Sequence, residues 1–104
     1  MEKKLIIIHG PMGVGKTSVC KELQTMLINS FWLDGDWCWM MNPWAFSCEN
    51  KAMVIDNITY LLRNFLENSF SENVLFSWVL HKDEIFSDVL NELSDLNFKL
   101  FRFA

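Results

Sequence analysis

The order of apolar segments predicts an α/β protein: a three-layer sandwich with a parallel sheet, helices on both faces, truncated to about four strands. Two observations carry this. Four short apolar runs, at residues 5–8, 31–33, 74–80 and 98–103, alternate with three longer stretches of helical period. Strands joined through helices pair in parallel, because a parallel neighbour needs a crossover of a dozen or more residues. The length of 104 residues allows one domain, residues 1–104.

Each element has its own signal. Leu5-Ile6-Ile7-Ile8 is a continuous aliphatic run, the pattern of a strand buried on both faces. Residues 10–15 break it with three of the chain's 4 glycines. A helix is predicted over 16–28, with Val19, Leu23, Met26 and Leu27 on its inner face. Phe31-Trp32-Leu33 forms the second strand, ended by Asp34-Gly35-Asp36. In the aromatic segment 37–46, Asn42-Pro43 reads as a cap and first helical residue.

Over residues 50–67 the positions Val54, Ile55, Ile58, Leu61, Leu62, Phe65 and Leu66 keep a 3.6-residue period, predicting the longest helix. Residues 74–80 form the third strand. A further helix opens near Asp83, with Ile85, Phe86, Val89, Leu90, Leu93 and Leu96 inward, and residues 98–103 form the fourth strand. All four strands are expected to be fully buried.

Composition narrows the function classes. The chain is 51% hydrophobic with only 2 Pro, which excludes disorder. A net charge of −4 and a pI near 5.0 give no electrostatic footprint for nucleic acid or an anionic membrane. No stretch approaches the roughly 18 apolar residues of a membrane span. Cys20, Cys38 and Cys48 show no metal or disulfide spacing, so reduced thiols and a cytoplasmic location are expected.

Gly10-Pro11-Met12-Gly13-Val14-Gly15-Lys16-Thr17 satisfies G-x-x-x-x-G-K-[ST] at every specified position. Taking about 7% for Gly and ordinary frequencies for the rest, chance gives one such match in about 30,000 positions. The chemistry explains the pattern. Glycines allow close backbone approach, successive N–H groups and a helix N-terminus form an anion cradle, Lys16 reaches the outer phosphates, and the Thr17 hydroxyl is suited to Mg²⁺. Residues 10–17 and Ser18 are therefore the candidate phosphate-binding residues. A Rossmann reading fails at the third glycine, where Ser18 stands.

A phosphoryl-transfer site also needs carboxylates, to hold metal or to take the acceptor's proton. Asp34 and Asp36 end the second strand, on the edge where parallel sheets place ligands; the competing reading is a solvated Asp-Gly turn. Further candidates are Trp37, Trp39 and Trp44 as a stacking wall, Arg63 as a phosphate ligand and His81 as a base. Each has a plainer role as packing or surface.

The 10–17 motif together with Phe31-Trp32-Leu33-Asp34-Gly35-Asp36-Trp37 resembles the small-molecule and nucleotide kinases of the P-loop superfamily, shikimate-kinase-like members included. The string 37–44 resembles AAA-type or nucleotide-kinase-like ATPases. The resemblance implies ATP as donor, Mg²⁺ on Thr17 and Asp34, catalytic roles for Lys16, Asp34 and Asp36, and a small-molecule phosphate acceptor. It also implies an arginine-bearing lid after the fourth strand and a carboxylate at the end of the third. Neither is present in this sequence, so the chain is expected to be the N-terminal part of a longer kinase fold. Two functions stay open: an ATP- and Mg²⁺-dependent phosphotransferase, or a nucleotide-binding module without turnover. The final strand, as an unpaired edge, makes a homo-oligomer the third expectation.

Overall fold

The computed structural model describes residues 2–9, 16–78 and 83–103. In chain order the elements are β1 (Lys4–His9), α1 (Lys16–Met26), β2 (Ser30–Asp34), a 3₁₀ turn (Gly35–Trp39), α2 (Cys48–Glu67), β3 (Asn73–Trp78), α3 (Asp83–Glu92) and β4 (Lys99–Phe103). The four strands form one sheet in the order β2-β3-β1-β4, and every pairing is parallel. This is the α/β architecture that the alternation of apolar runs predicts.

The strand order fixes the layers. The connection β1 to β2 runs one way across the sheet, whereas β2 to β3 and β3 to β4 run the other way. Right-handed crossovers then place α1 on one face and α2 with α3 on the opposite face. The side chains agree. Leu5 and Ile7 pack with Val74, Phe76 and the inner residues of α2 and α3, while Ile6 and Ile8 pack with Leu75 and Cys20 of α1. β1 and β3 are neighbours whose following helices leave to opposite faces. The crevice beyond their carboxyl ends is the sheet's switch point, where open α/β sheets bind ligands.

α2 and α3 bury the faces their periodicity predicts: Val54, Ile58, Leu62 and Leu66 from one, Ile85, Phe86, Val89 and Leu93 from the other. α1 is rotated by about one residue from its predicted face. Cys20 is fully buried and Leu23 and Leu27 pack beside it, but Val19 is 44% and Met26 74% exposed. Both sets of residues fit a 3.6-residue spacing. The helix settles on Cys20, whose small thiol lets it lie close to Ile6, Ile8 and Leu75.

Two other expectations are corrected. No helix starts at Asn42-Pro43; α2 begins at Cys48, two residues before the predicted 50–67 span, because Ser47 caps it, its hydroxyl accepting the Asn50 N–H at 3.0 Å. β2, one edge of the sheet, buries only Leu33, and β4 is not buried on both faces. β4 is an edge strand with only β1 beside it, and Leu100 and Phe103 are exposed while Phe101 is partly covered on the α1 side. After α1, Asn29 takes a left-handed φ of 51° and its carbonyl accepts the Glu72 N–H at 3.0 Å, turning the chain into β2.

Substitutions should follow these faces. Phe76→Ala should cost about 3–5 kcal/mol in chemical denaturation, whereas Met26→Lys should stay within about 0.5 kcal/mol of the parent protein. Equal losses would place α1 back on its predicted face.

Candidate functional site

In the chain the 10–17 motif follows β1 and runs into α1, so it leaves the sheet at the switch-point end of β1. Residues 10–15 and the Lys16 side chain lie outside the described residues, as does His81. The motif's flanks are described: His9 closes β1, opposite Trp78 of β3, and Thr17 and Ser18 are exposed in the first turn of α1. His9 is a packing residue, its ring 5.1 Å from that of Phe86 in an edge contact.

Asp34 and Asp36 share one turn at the same edge of the sheet, but each is held by a different partner. Asp34 ends β2 in extended conformation (φ −99°, ψ 127°) opposite Ser77, and its Oδ1 accepts the Asp36 N–H at 2.9 Å, capping the 3₁₀ turn. Alternation along β2 puts Asp34 with Trp32 on the α1 face, and the Trp32 indole donates to the buried Ser77 hydroxyl at 3.0 Å. The Asp36 Oδ1 instead accepts the Trp78 indole N–H at 3.2 Å. The acidic pair is therefore a capped Asp-Gly turn whose second carboxylate is tied to the core.

Gly35 makes that tie possible. A Cβ at this position would lie 2.4 Å from the Trp78 ring, far inside contact distance. Trp78 is itself 6% exposed and packs on Phe76. Gly35 and Trp78 are thus the positioning residues that sequence reasoning misses. The signal for Gly35 lies in the Asp-Gly-Asp string; Trp78 sits 42 residues further on and carries no local signal.

The oxygen donors suit the expected ligands. The Thr17 hydroxyl and the Asp34 carboxylate are hard ligands of the kind Mg²⁺ takes. No cluster of three or more His, Cys, Asp or Glu stands ready for a metal among the described residues.

The remaining candidates separate clearly. Arg63 is not a phosphate ligand. It donates to both Asp95 carboxylate oxygens, at 2.9 and 2.8 Å, and to the Glu92 carbonyl at 2.6 Å, pinning α2 to the end of α3. These hydrogen bonds hold the Asp95 carboxyl below its ordinary range and the Arg63 guanidinium above its own. Trp39 packs on the core, with Phe46 stacked on it, whereas Trp37 and Trp44 are 51% and 61% exposed. Burial pushes the Cys38 thiol up, and the Asp34 carboxylate adds to the shift, so Cys38 is not an activated nucleophile.

Residues 6–99 match the family described as AAA domain. The chain belongs to the AAA domain family. The fold is shared with solved structures of low sequence identity. The crystal structure of APE1195 superposes with a TM-score of 0.67 at 19% identity, over 96% of this chain and 61% of that one. A chain of the Pnkp1/Rnl/Hen1 complex gives 0.73 at 18%, over 99% and 37%. A mutant of the Mycobacterium tuberculosis APS kinase CysC gives 0.66 at 17%, over 98% and 75%. This AAA domain therefore has a P-loop kinase-like fold and spans only 61% and 37% of the first two matched chains. No curated protein matches it. No helix among the described residues is long and apolar enough to cross a membrane.

Gly35→Ala should displace Trp78 and destabilise the domain by about 1–3 kcal/mol in denaturant melts; an unchanged midpoint would contradict the contact. Asp34→Asn should lower the pH at which Cys38 is alkylated, because a negative charge beside the thiol is removed. The reaction should still need a higher pH than an ordinary thiol, since burial is the larger cause.

Proposed function

We propose that this AAA domain is an ATP- and Mg²⁺-dependent phosphotransferase of the small-molecule or nucleoside/nucleotide class. The observation that carries this reading is the complete 10–17 phosphate-binding motif placed between β1 and α1, with an acidic turn at the same edge of the sheet. Backbone N–H groups of the loop and the α1 terminus would hold the ATP phosphates. Lys16 would balance charge on the transferring phosphoryl group, and the Thr17 hydroxyl with the Asp34 carboxylate would hold Mg²⁺, which supplies electrostatic stabilisation there when bound.

Asp36 is the better placed of the two carboxylates to meet an acceptor. It is exposed, and its Oδ1 is oriented by the Trp78 indole, which leaves the second oxygen able to accept a hydroxyl proton. In such a transfer the bond between the γ-phosphorus and the bridging oxygen breaks. A bond to the acceptor oxygen forms, and that oxygen's proton passes to the carboxylate.

A second reading has its own observation: β3 ends in Ser77 and Trp78 with no carboxylate among its described residues. That favours a module that binds nucleotide without transferring phosphate. In vivo such a module would act through its partners, including another copy of itself along β4.

Equilibrium binding of ATP with Mg²⁺ tests the shared part of both readings. The parent protein should bind, and Lys16→Ala should bind at least about tenfold more weakly. No binding by the parent protein would overturn both. Phosphate transfer to an acceptor panel separates them: Asp36→Asn should cut the rate by about 10²–10⁴ if Asp36 is the base.

A further inference from the structure

Beside the acidic turn lies an open groove of about 350 Å³, lined by Trp37, Cys38 and Met40 of the 35–40 segment and by Asn57, Tyr60 and Leu61 of α2. Its volume is at the small end of the roughly 300–1,000 Å³ typical of small-molecule sites. Trp37, Met40 and Tyr60 are 51%, 85% and 66% exposed, a concentration of large apolar surface around one small groove. The Trp37 ring also contacts that of Trp32, centroids 5.1 Å apart.

The groove stands level with the acidic turn. Phe31 at the start of β2 stacks on Phe65 of α2, ring centroids 4.9 Å apart, which fixes the helix against the strand. From that contact Asp34 lies three residues, about 10 Å, along β2. Asn57 lies eight residues, about 12 Å, back along α2 in the same direction. β2 is two strand spacings, about 10 Å, from β1, whose end precedes the 10–17 motif in the chain. A nucleoside-sized molecule with its ring in the groove can therefore extend toward the loop past Asp36.

Charge narrows the occupant. None of the described lining residues is cationic. Arg63, one turn beyond Tyr60, is turned to Asp95 and Glu92 instead. Among the described residues, carboxylates adjoin the groove: the Asp34 charge acts on the lining Cys38, and Asp36 and Asp56 precede the lining Trp37 and Asn57 in the chain; their charge would repel a phosphorylated acceptor. Two aromatic rings offer faces for stacking, and the Asn57 amide offers both a donor and an acceptor to a ring edge.

We propose that this groove takes an uncharged planar acceptor of the nucleoside kind, stacked on Trp37 and Tyr60, in preference to a nucleoside monophosphate. The inference rests on the phosphotransferase reading for its use, but not for its test. Binding of adenosine, guanosine, cytidine and thymidine, each against its 5′-monophosphate, is measured by calorimetry on the parent protein without ATP. ATP binding is titrated separately.

At least one nucleoside should bind about tenfold or more tightly than its monophosphate. Tyr60→Ala should weaken that binding about tenfold while the ATP affinity stays unchanged. Asn57→Lys, at an exposed position, should shift preference toward the monophosphate. A monophosphate that binds as tightly as its nucleoside, an indifferent Tyr60→Ala, or no nucleoside binding alongside intact ATP binding would each overturn the proposal. Nucleoside binding with no ATP binding would uphold the groove and overturn the phosphotransferase reading.

Discussion

β1 is the strand on which the rest of the molecule depends. It pairs along its length with β3 on one side and over five residues with β4 on the other, so its backbone groups are satisfied in the sheet. Leu5 and Ile7 enter one core and Ile6 and Ile8 the other, which makes this one strand common to both hydrophobic layers. A strand so placed cannot shift register by one residue without exchanging the two cores. The phosphate-binding motif begins immediately after its last residue. The strand common to both cores therefore sets where the 10–17 motif begins.

The second constraint is the packing of Trp78 on Gly35. It joins the end of β3 to the turn after β2 and orients a carboxylate at the edge where the phosphate motif also emerges. Because the indole is nearly buried, moving it would disturb Phe76 as well as Asp36. The acidic turn is thus coupled to the core and not merely attached to the surface. Arg63 performs the corresponding task toward the far end of α2, through Asp95 and the Glu92 carbonyl. A fixed end for support and a chemically equipped end for ligand is the usual division of a parallel α/β sheet.

Much of this was legible in the sequence, for identifiable reasons. Aliphatic runs and 3.6-residue periods are local, so the order of elements and the inner faces of α2 and α3 could be read directly. The phosphate motif and the acidic pair are local as well. The face of α1 was not legible, because Val19, Leu23 and Met26 satisfy the helical period as well as Cys20, Leu23 and Leu27 do. Periodicity cannot tell a buried cysteine from an exposed methionine. The exposure of β4 depends on strand order, a property of the whole sheet. The Trp78 contact with Gly35 joins residues far apart in the chain, and nothing near either one announces the other.

The central claim is that the carboxyl edge around the end of β1 is where this AAA domain meets a nucleotide. Backbone amide chemical-shift mapping during titration with Mg²⁺ and a non-hydrolysable ATP analogue tests it most directly. The account predicts shifts concentrated at residues 10–18 and at Asp34, with Asn29, Asn68 and Asp95 at the opposite end of the molecule unmoved. Shifts centred on those opposite-end residues, or none at saturating analogue, would contradict it.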